Sequence, residues 1–239
     1  MQTNGFGSDI AVSGDLRIAV IGVGGAGCRI VSKLYGRMGR VGTIAINTDR
    51  KALEETQADT RLFICKEVTK GVGSNGDPAL GKKCAQIHDA EILSAVRGKY
   101  DYAFIVAGMG GGTGSGAAPV VAELCDRAGI HVGAITIMPF SFESERTIKA
   151  AEGYRALHAI CKDIVRCENQ KILSVKGLRT FDEAMILMND MIVKKILSAI
   201  DDAKYAIRSD IANNLEGSRS GTDVTSSRPS MVLGAQKSN

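Results

Sequence analysis

The 239 residues carry 30 Lys and Arg against 26 Asp and Glu, a net charge of +4, with 44% apolar residues and no Trp; this fits a soluble globular chain with one full core. The charges are spread without a like-charge block, which argues against a polyanion-binding arm and a nucleic-acid partner. No stretch approaches the roughly 18 apolar residues that a membrane span needs, so direct membrane insertion is not expected.

Residues 1–14 are rich in Gly, Asn and Ser, lack the apolar centre of a signal sequence and read as a flexible start, consistent with a cytoplasmic location. From there the chain alternates. Arg17–Ile21 is a continuous apolar strand of the kind buried in a parallel sheet, and Ala26–Met38 has apolar residues at helical spacing. Gly39–Gly42 turns the chain into a second strand, Thr43–Ile46. A strand near Leu62–Cys65, a helix at Pro78–Val96, a strand at Tyr102–Ala107, a helix at Ser115–Ala128, a strand at His131–Met138 and a helix at Ser144–Cys161 follow. Asp163–Cys167 is a sixth strand, and Phe181 to about Arg208 is a long helix without Pro or Gly. The expected fold is α/β: a Rossmann-like parallel sheet with helices on both faces, ending in a long core helix. The domain spans 15–209 and a disordered, Ser/Gly/Thr-rich tail spans 216–239. Six cysteines (Cys28, Cys65, Cys84, Cys125, Cys161, Cys167) form no C-x-x-C pair and have no His at zinc-ligand spacing, so buried reduced thiols and no metal site are expected.

Glycine is the compositional outlier, with 28 Gly against 4 Pro, and it is clustered. Gly22-Val-Gly24-Gly25-Ala26-Gly27 lies between the first strand and the first helix, where absent side chains let backbone N–H groups approach a phosphate at a helix N-terminus. Taken by itself, the motif equally suits a dinucleotide-binding domain, and Asp49 lies near the place of a ribose-binding acid. A second loop, Gly108-Met-Gly110-Gly111-Gly112-Thr113-Gly114-Ser115-Gly116, also joins a strand to a helix. It offers a run of N–H donors with two hydroxyls, which suits a di- or triphosphate. A dinucleotide fold needs one such loop; two on neighbouring strands can hold a phosphate chain from both sides.

These residues carry a specific resemblance. Gly110–Gly116 resembles the tubulin signature, and Ala107–Pro119 is close to its FtsZ form. Asn47-Thr-Asp49, with Ala52-Leu53, is similar to the loop after the second strand in FtsZ. Gly71–Pro78 is similar to the loop beside the γ-phosphate, and Pro139–Glu143 to the ribose-side loop. The likeness covers Arg17 to Ile200. It implies a GTP- or GDP-binding domain, with Mg2+ allowed beside GTP, and a nucleotide held by the glycine loops, Gly73, Ser74 and Pro139. It further implies that Glu143 bonds the ribose and that Arg146, in a stretch one residue shorter than typical FtsZ, sits near the phosphates. Asn169 and Asp190 match the base-recognising positions. A carboxylate can accept from both N1–H and the amine of guanine, whereas adenine has no such donor pair; Asp190 is otherwise a solvated helix charge and Asn169 a turn residue.

The likeness stops where the family's catalysis begins. FtsZ and tubulin hydrolyse GTP with an acidic loop, N-x-D-x-x-D-like, that follows the long helix and enters a neighbour's site. After Ile200 this chain reads Asp201-Asp202-Ala-Lys-Tyr-Ala-Ile-Arg-Ser-Asp210, without that pattern, and no counterpart of the family's second domain is legible. The expectation is a nucleotide-dependent cytoskeletal, cell-division or membrane-remodelling factor acting through protein partners, itself or a full-length FtsZ-type protein among them. The alternatives are a GTPase that polymerises, by itself or with such a relative, and an NAD-type domain.

Overall fold

The computed structural model describes residues 16–175, 177 and 179–219, with side chains through Tyr205. The expected flexible start and the tail from 220 onward lie outside the described residues. Six strands, β1 (Ile18–Val23), β2 (Gly42–Asn47), β3 (Thr60–Phe63), β4 (Tyr102–Gly108), β5 (His131–Met138) and β6 (Asp163–Glu168), form one sheet in the order β3-β2-β1-β4-β5-β6. Every pairing is parallel. Apolar runs such as Ile18–Val23 and Tyr102–Ala107 suit this arrangement because the sheet is covered on both faces.

The pleat sorts the core. Ala19, Ile21, Ile105 and Ala107 point to one face, under α4 (Pro78–Ile87), α5 (Asp89–Val96), α6 (Gly112–Arg127) and α7 (Ser144–His158). Ile18, Val20, Phe104 and Val106 point to the other, under α1 (Gly24–Leu34) and α8 (Phe181–Arg219). Ala184, Met188, Ile192, Ile196, Ala199 and Ala203 recur along α8 at helical spacing and are buried. Burial of each large side chain among them stabilises by about 1.5–3 kcal/mol, enough to lay the long helix across the sheet. Short helices α2 (Arg50–Glu54) and α3 (Lys66–Thr69) fill the connections around β3. Among the described residues no helix is long and apolar enough to cross a membrane.

Several boundaries differ from the sequence reading. The single helix expected over Pro78–Val96 is two, because His88 leaves helical geometry (φ −103°, ψ 24°) while its Nε2 accepts from the Cys65 amide at 2.7 Å. Strand β3 ends at Phe63 because Cys65 turns left-handed (φ 65°) to start α3. Helices α1 and α6 begin inside the glycine loops rather than after them. Finally, α8 continues past Arg208 to Arg219, so residues 216–219, read as the start of the tail, are helical.

Strands β1 and β4 are neighbours at the centre of the sheet. The chain leaves β1 towards one face through α1 and leaves β4 towards the other through α6. A crevice therefore opens beyond the carboxyl ends of these two strands, where the strand order reverses.

Candidate functional site: a phosphate cradle between two helix N-termini

Val23 ends β1 and Gly24 begins α1 with no residue between them; Gly111 likewise precedes α6 directly. Neither Val23 nor Gly111 offers a side-chain cap, so the first-turn N–H groups of both helices lack both intrahelical and capping partners. The two helix starts meet. Gly24 holds φ +73°, a left-handed conformation that only glycine adopts freely, and a Cβ there would lie 2.9 Å from the Gly114 nitrogen. Gly110 holds φ +92° with the Arg146 carbonyl oxygen 2.6 Å from where its Cβ would stand, so the second loop is pressed against the start of α7. Beyond the Cα atoms of Gly25 and Gly111 nothing lies within 4 Å.

These elements surround a cavity of about 410 Å³. Of the residues singled out from sequence, Gly24, Gly25, Ala26, Asn47, Asp49, Gly73, Ser74, Gly108, Gly110, Gly111, Gly112, Thr113, Gly114 and Arg146 line it. Gly22 and Gly27 stand behind the wall, where α1 touches β1 and β4 too closely for a side chain. Ser115 is also behind it, its Oγ accepting from the Gly110 amide at 2.7 Å to fix the loop.

Hydroxyls set the shape of the far wall. Thr113 Oγ1 lies 2.7 Å from Thr48 Oγ1 and 3.0 Å from Ser74 Oγ, and all three residues are buried. This triad ties α6 to the end of β2 and to the loop 71–77. Thr113, expected as a further donor to a phosphate, also uses its hydroxyl to position the wall. Asn47 is held by the same segment: its Oδ1 accepts from the Thr48 and Asp49 amides at 2.9 and 3.3 Å. Its Nδ2 is buried with no hydrogen-bond partner, and a flip of the amide would set NH2 against those two N–H groups. Asp49 caps α2 through the Ala52 amide at 3.0 Å.

The remaining candidates sit apart from the cavity. Glu143 precedes α7; its Oε2 accepts from the Phe140 amide at 2.8 Å and its Oε1 accepts from Arg146, while Pro139 is half-buried beside it. Asn169 opens a 3-10 turn (Asn169–Ser174) after β6, buried, with Oδ1 unpartnered. Asp190, on α8, is half-exposed and paired with Lys33 of α1. Ile172 of the 3-10 turn packs with α1 and α8 on one face of the sheet, and the loop 71–77 leads into α4 on the opposite face.

Asn75 and Gly76, in the loop expected beside the γ-phosphate, also line the cavity, as do Arg29 and Lys149, which sequence reasoning passed over. Arg29 lies one turn after Gly25, and Lys149 one turn after Arg146, a helical spacing that marks both. With Arg146 they give the lining three cations against one carboxylate, Asp49, a balance that suits a polyanion. Among the described residues no cluster of three or more metal-ligating side chains is present. All six cysteines are free and buried, and burial pushes the thiols of Cys28, Cys84, Cys125 and Cys161 up to about 12.

A family model described as "Tubulin/FtsZ family, GTPase domain" matches residues 17–177. The chain belongs to the Tubulin/FtsZ family. Cell division protein FtsZ 2 of Haloferax volcanii is 37% identical over 185 residues, which are 77% of this chain and 46% of that protein. An empty FtsZ dimer of Methanocaldococcus jannaschii superposes with a TM-score of 0.73 at 32% identity, covering 77% of this chain and 54% of the other. A GTPγS-bound protofilament of CetZ2 from Haloferax volcanii gives 0.71 at 25% identity, covering 79% and 59%. The chain thus spans about half the length of the curated Tubulin/FtsZ relatives it matches.

Proposed function

We propose that this chain binds a guanine nucleotide, GTP or GDP, in the crevice beyond β1 and β4, and acts as a nucleotide-dependent cytoskeletal or cell-division factor through protein partners. The single observation that carries the reading is the pair of uncapped helix N-termini, at Gly24 and Gly112, opening on one cavity. Each terminus brings unpaired N–H donors and a favourable dipole to an anion, and two facing one space suit a chain of phosphates better than a single group. The unpartnered Asn47 Nδ2 adds a fixed donor, and a Cβ at Gly24 would close the cradle. Asn169 and Asp190, on the α8 side, would take the base, with Glu143 at the ribose. Arg146 would exchange part of its bond to Glu143 for a phosphate oxygen.

Binding uses groups of one subunit, while hydrolysis needs a positioned water. Asp201 and Asp202 are exposed charges on the uninterrupted helix α8, so we infer weak hydrolysis by this chain alone; phosphate release that climbs with protein concentration would favour the polymerising GTPase instead. The reading is tested by identifying the nucleotide that co-purifies with the chain. Recovery of guanine nucleotide in near-stoichiometric amount supports it, and recovery of adenine or nicotinamide nucleotide overturns it.

A further inference from the structure

Lys149 lies on α7, half-buried, and lines the cavity. Its Nζ donates to the Gly76 carbonyl oxygen at 2.9 Å, spanning from α7 to the loop 71–77. Among the described residues no carboxylate pairs with this ammonium. One of its three donors is used, on a neutral acceptor, leaving two donors and a full positive charge. That is an incomplete arrangement for a partly desolvated cation, because charge-assisted bonds to an anion are roughly twice as strong as those to a neutral group.

The position of Lys149 says which anion. The residues proposed above for the base are Asp190, on α8, and Asn169, which opens the 3-10 turn whose Ile172 packs with α1 and α8, while the loop 71–77 leads into α4 on the face that carries α4, α6 and α7. A nucleotide lying across the two helix N-termini with its base towards α8 directs the end of its phosphate chain to the loop 71–77 and to Lys149. The loop there is fixed: the Gly73 amide donates to Thr48 O at 3.2 Å, and Ser74 Oγ joins Thr113. In that placement the inner phosphates would meet the N–H groups of α1 and α6, and the outermost one would meet Lys149.

We propose that Lys149 is a terminal-phosphate residue that makes this site prefer a nucleoside triphosphate to a diphosphate, its ammonium shared between Gly76 O and the last phosphate. The inference rests on the guanine-nucleotide reading above. The test is equilibrium titration of the 239-residue chain and its Lys149→Met and Lys149→Gln variants with GTPγS and with GDP. Gln keeps a donor for Gly76 O but no charge, so it separates the strap to the loop from the electrostatic role. The expected result is a wild-type preference for GTPγS. Both variants should lose about tenfold or more in GTPγS affinity and keep GDP affinity within about twofold. Equal weakening of both ligands, unchanged GTPγS binding in Lys149→Met, or full retention by Lys149→Gln overturns the role of Lys149 and leaves the nucleotide reading standing. A wild-type chain that binds neither ligand overturns both.

Discussion

Lys33 Nζ on α1 donates to Asp190 Oδ1 on α8 across 2.9 Å, joining the helix that opens the first glycine loop to the helix that crosses the same face of the sheet. The carboxylate proposed to recognise guanine therefore rests on a lysine. The pair is half-exposed, with 36% of the Lys33 side chain and 50% of the Asp190 side chain accessible, and exposed pairs contribute only about 0–1 kcal/mol. Exchanging such a partner for a base costs little.

Asp190→Asn follows from this relationship. The variant should unfold at nearly the wild-type urea midpoint, because the lost pair is weak. Its GTP affinity should fall by about 1–3 kcal/mol, since an amide presents one acceptor and a misplaced donor to the guanine edge. Calorimetric titration beside a urea melt separates the two effects; intact folding with unchanged GTP affinity would remove Asp190 from the site.

The Thr113 hydroxyl joins Thr48 to Ser74 in a buried triad. Thr113→Val removes the middle oxygen and leaves two buried hydroxyls short of a partner, at a cost of about 1–3 kcal/mol in stability. Nucleotide binding should weaken with it because the loop 71–77 loses its tie to α6. Thr113→Ser keeps the oxygen and should stay near wild type in both measurements. A Val variant as stable as the Ser variant would show that the triad does not hold this wall.

Much of the fold was legible because strands such as Ile18–Val23 are continuous apolar runs bounded by glycine, a pattern set by local sequence. The break at His88 was not, since it depends on a bond to the Cys65 amide from a residue 23 positions away. The glycine loops announced the cradle through composition. The state of individual side chains did not show in the same way: Thr113 and Glu143 are polar residues at the right spacing, yet each spends hydrogen bonds inside the protein. Lys149 was passed over because its importance comes from α7 lying across the cavity from Gly76, a tertiary juxtaposition.

Asp163, at the start of β6, carries the fold's pH dependence in one direction. Burial raises its pKa above the ordinary carboxylate value, with His131 and Lys162 opposing. For an acid whose folded pKa is raised, the charged form costs stability above that pKa, and the cost disappears as the pH falls below the ordinary range. Asp163→Asn should therefore melt higher than wild type at pH 7, with the gap closing in acid. Asp101 runs the other way: its hydrogen bond to Arg17 lowers its pKa, so its contribution is present above the ordinary carboxylate value and lost as the pH falls through the folded one. Thermal melts of both chains from pH 3 to 7 check the sign; an Asn variant less stable at pH 7 would contradict it.

The most direct test of the guanine-nucleotide reading is equilibrium binding of GTP, GDP, ATP and NAD to the purified chain, stripped of any bound nucleotide and measured at one salt concentration. The cradle at Gly24 and Gly112 with Asn169 and Asp190 on its base side predicts that GTP and GDP bind, each at least about tenfold tighter than ATP or NAD. Binding of ATP or NAD as tight as GTP, or no binding of either guanine nucleotide by folded protein, would contradict it.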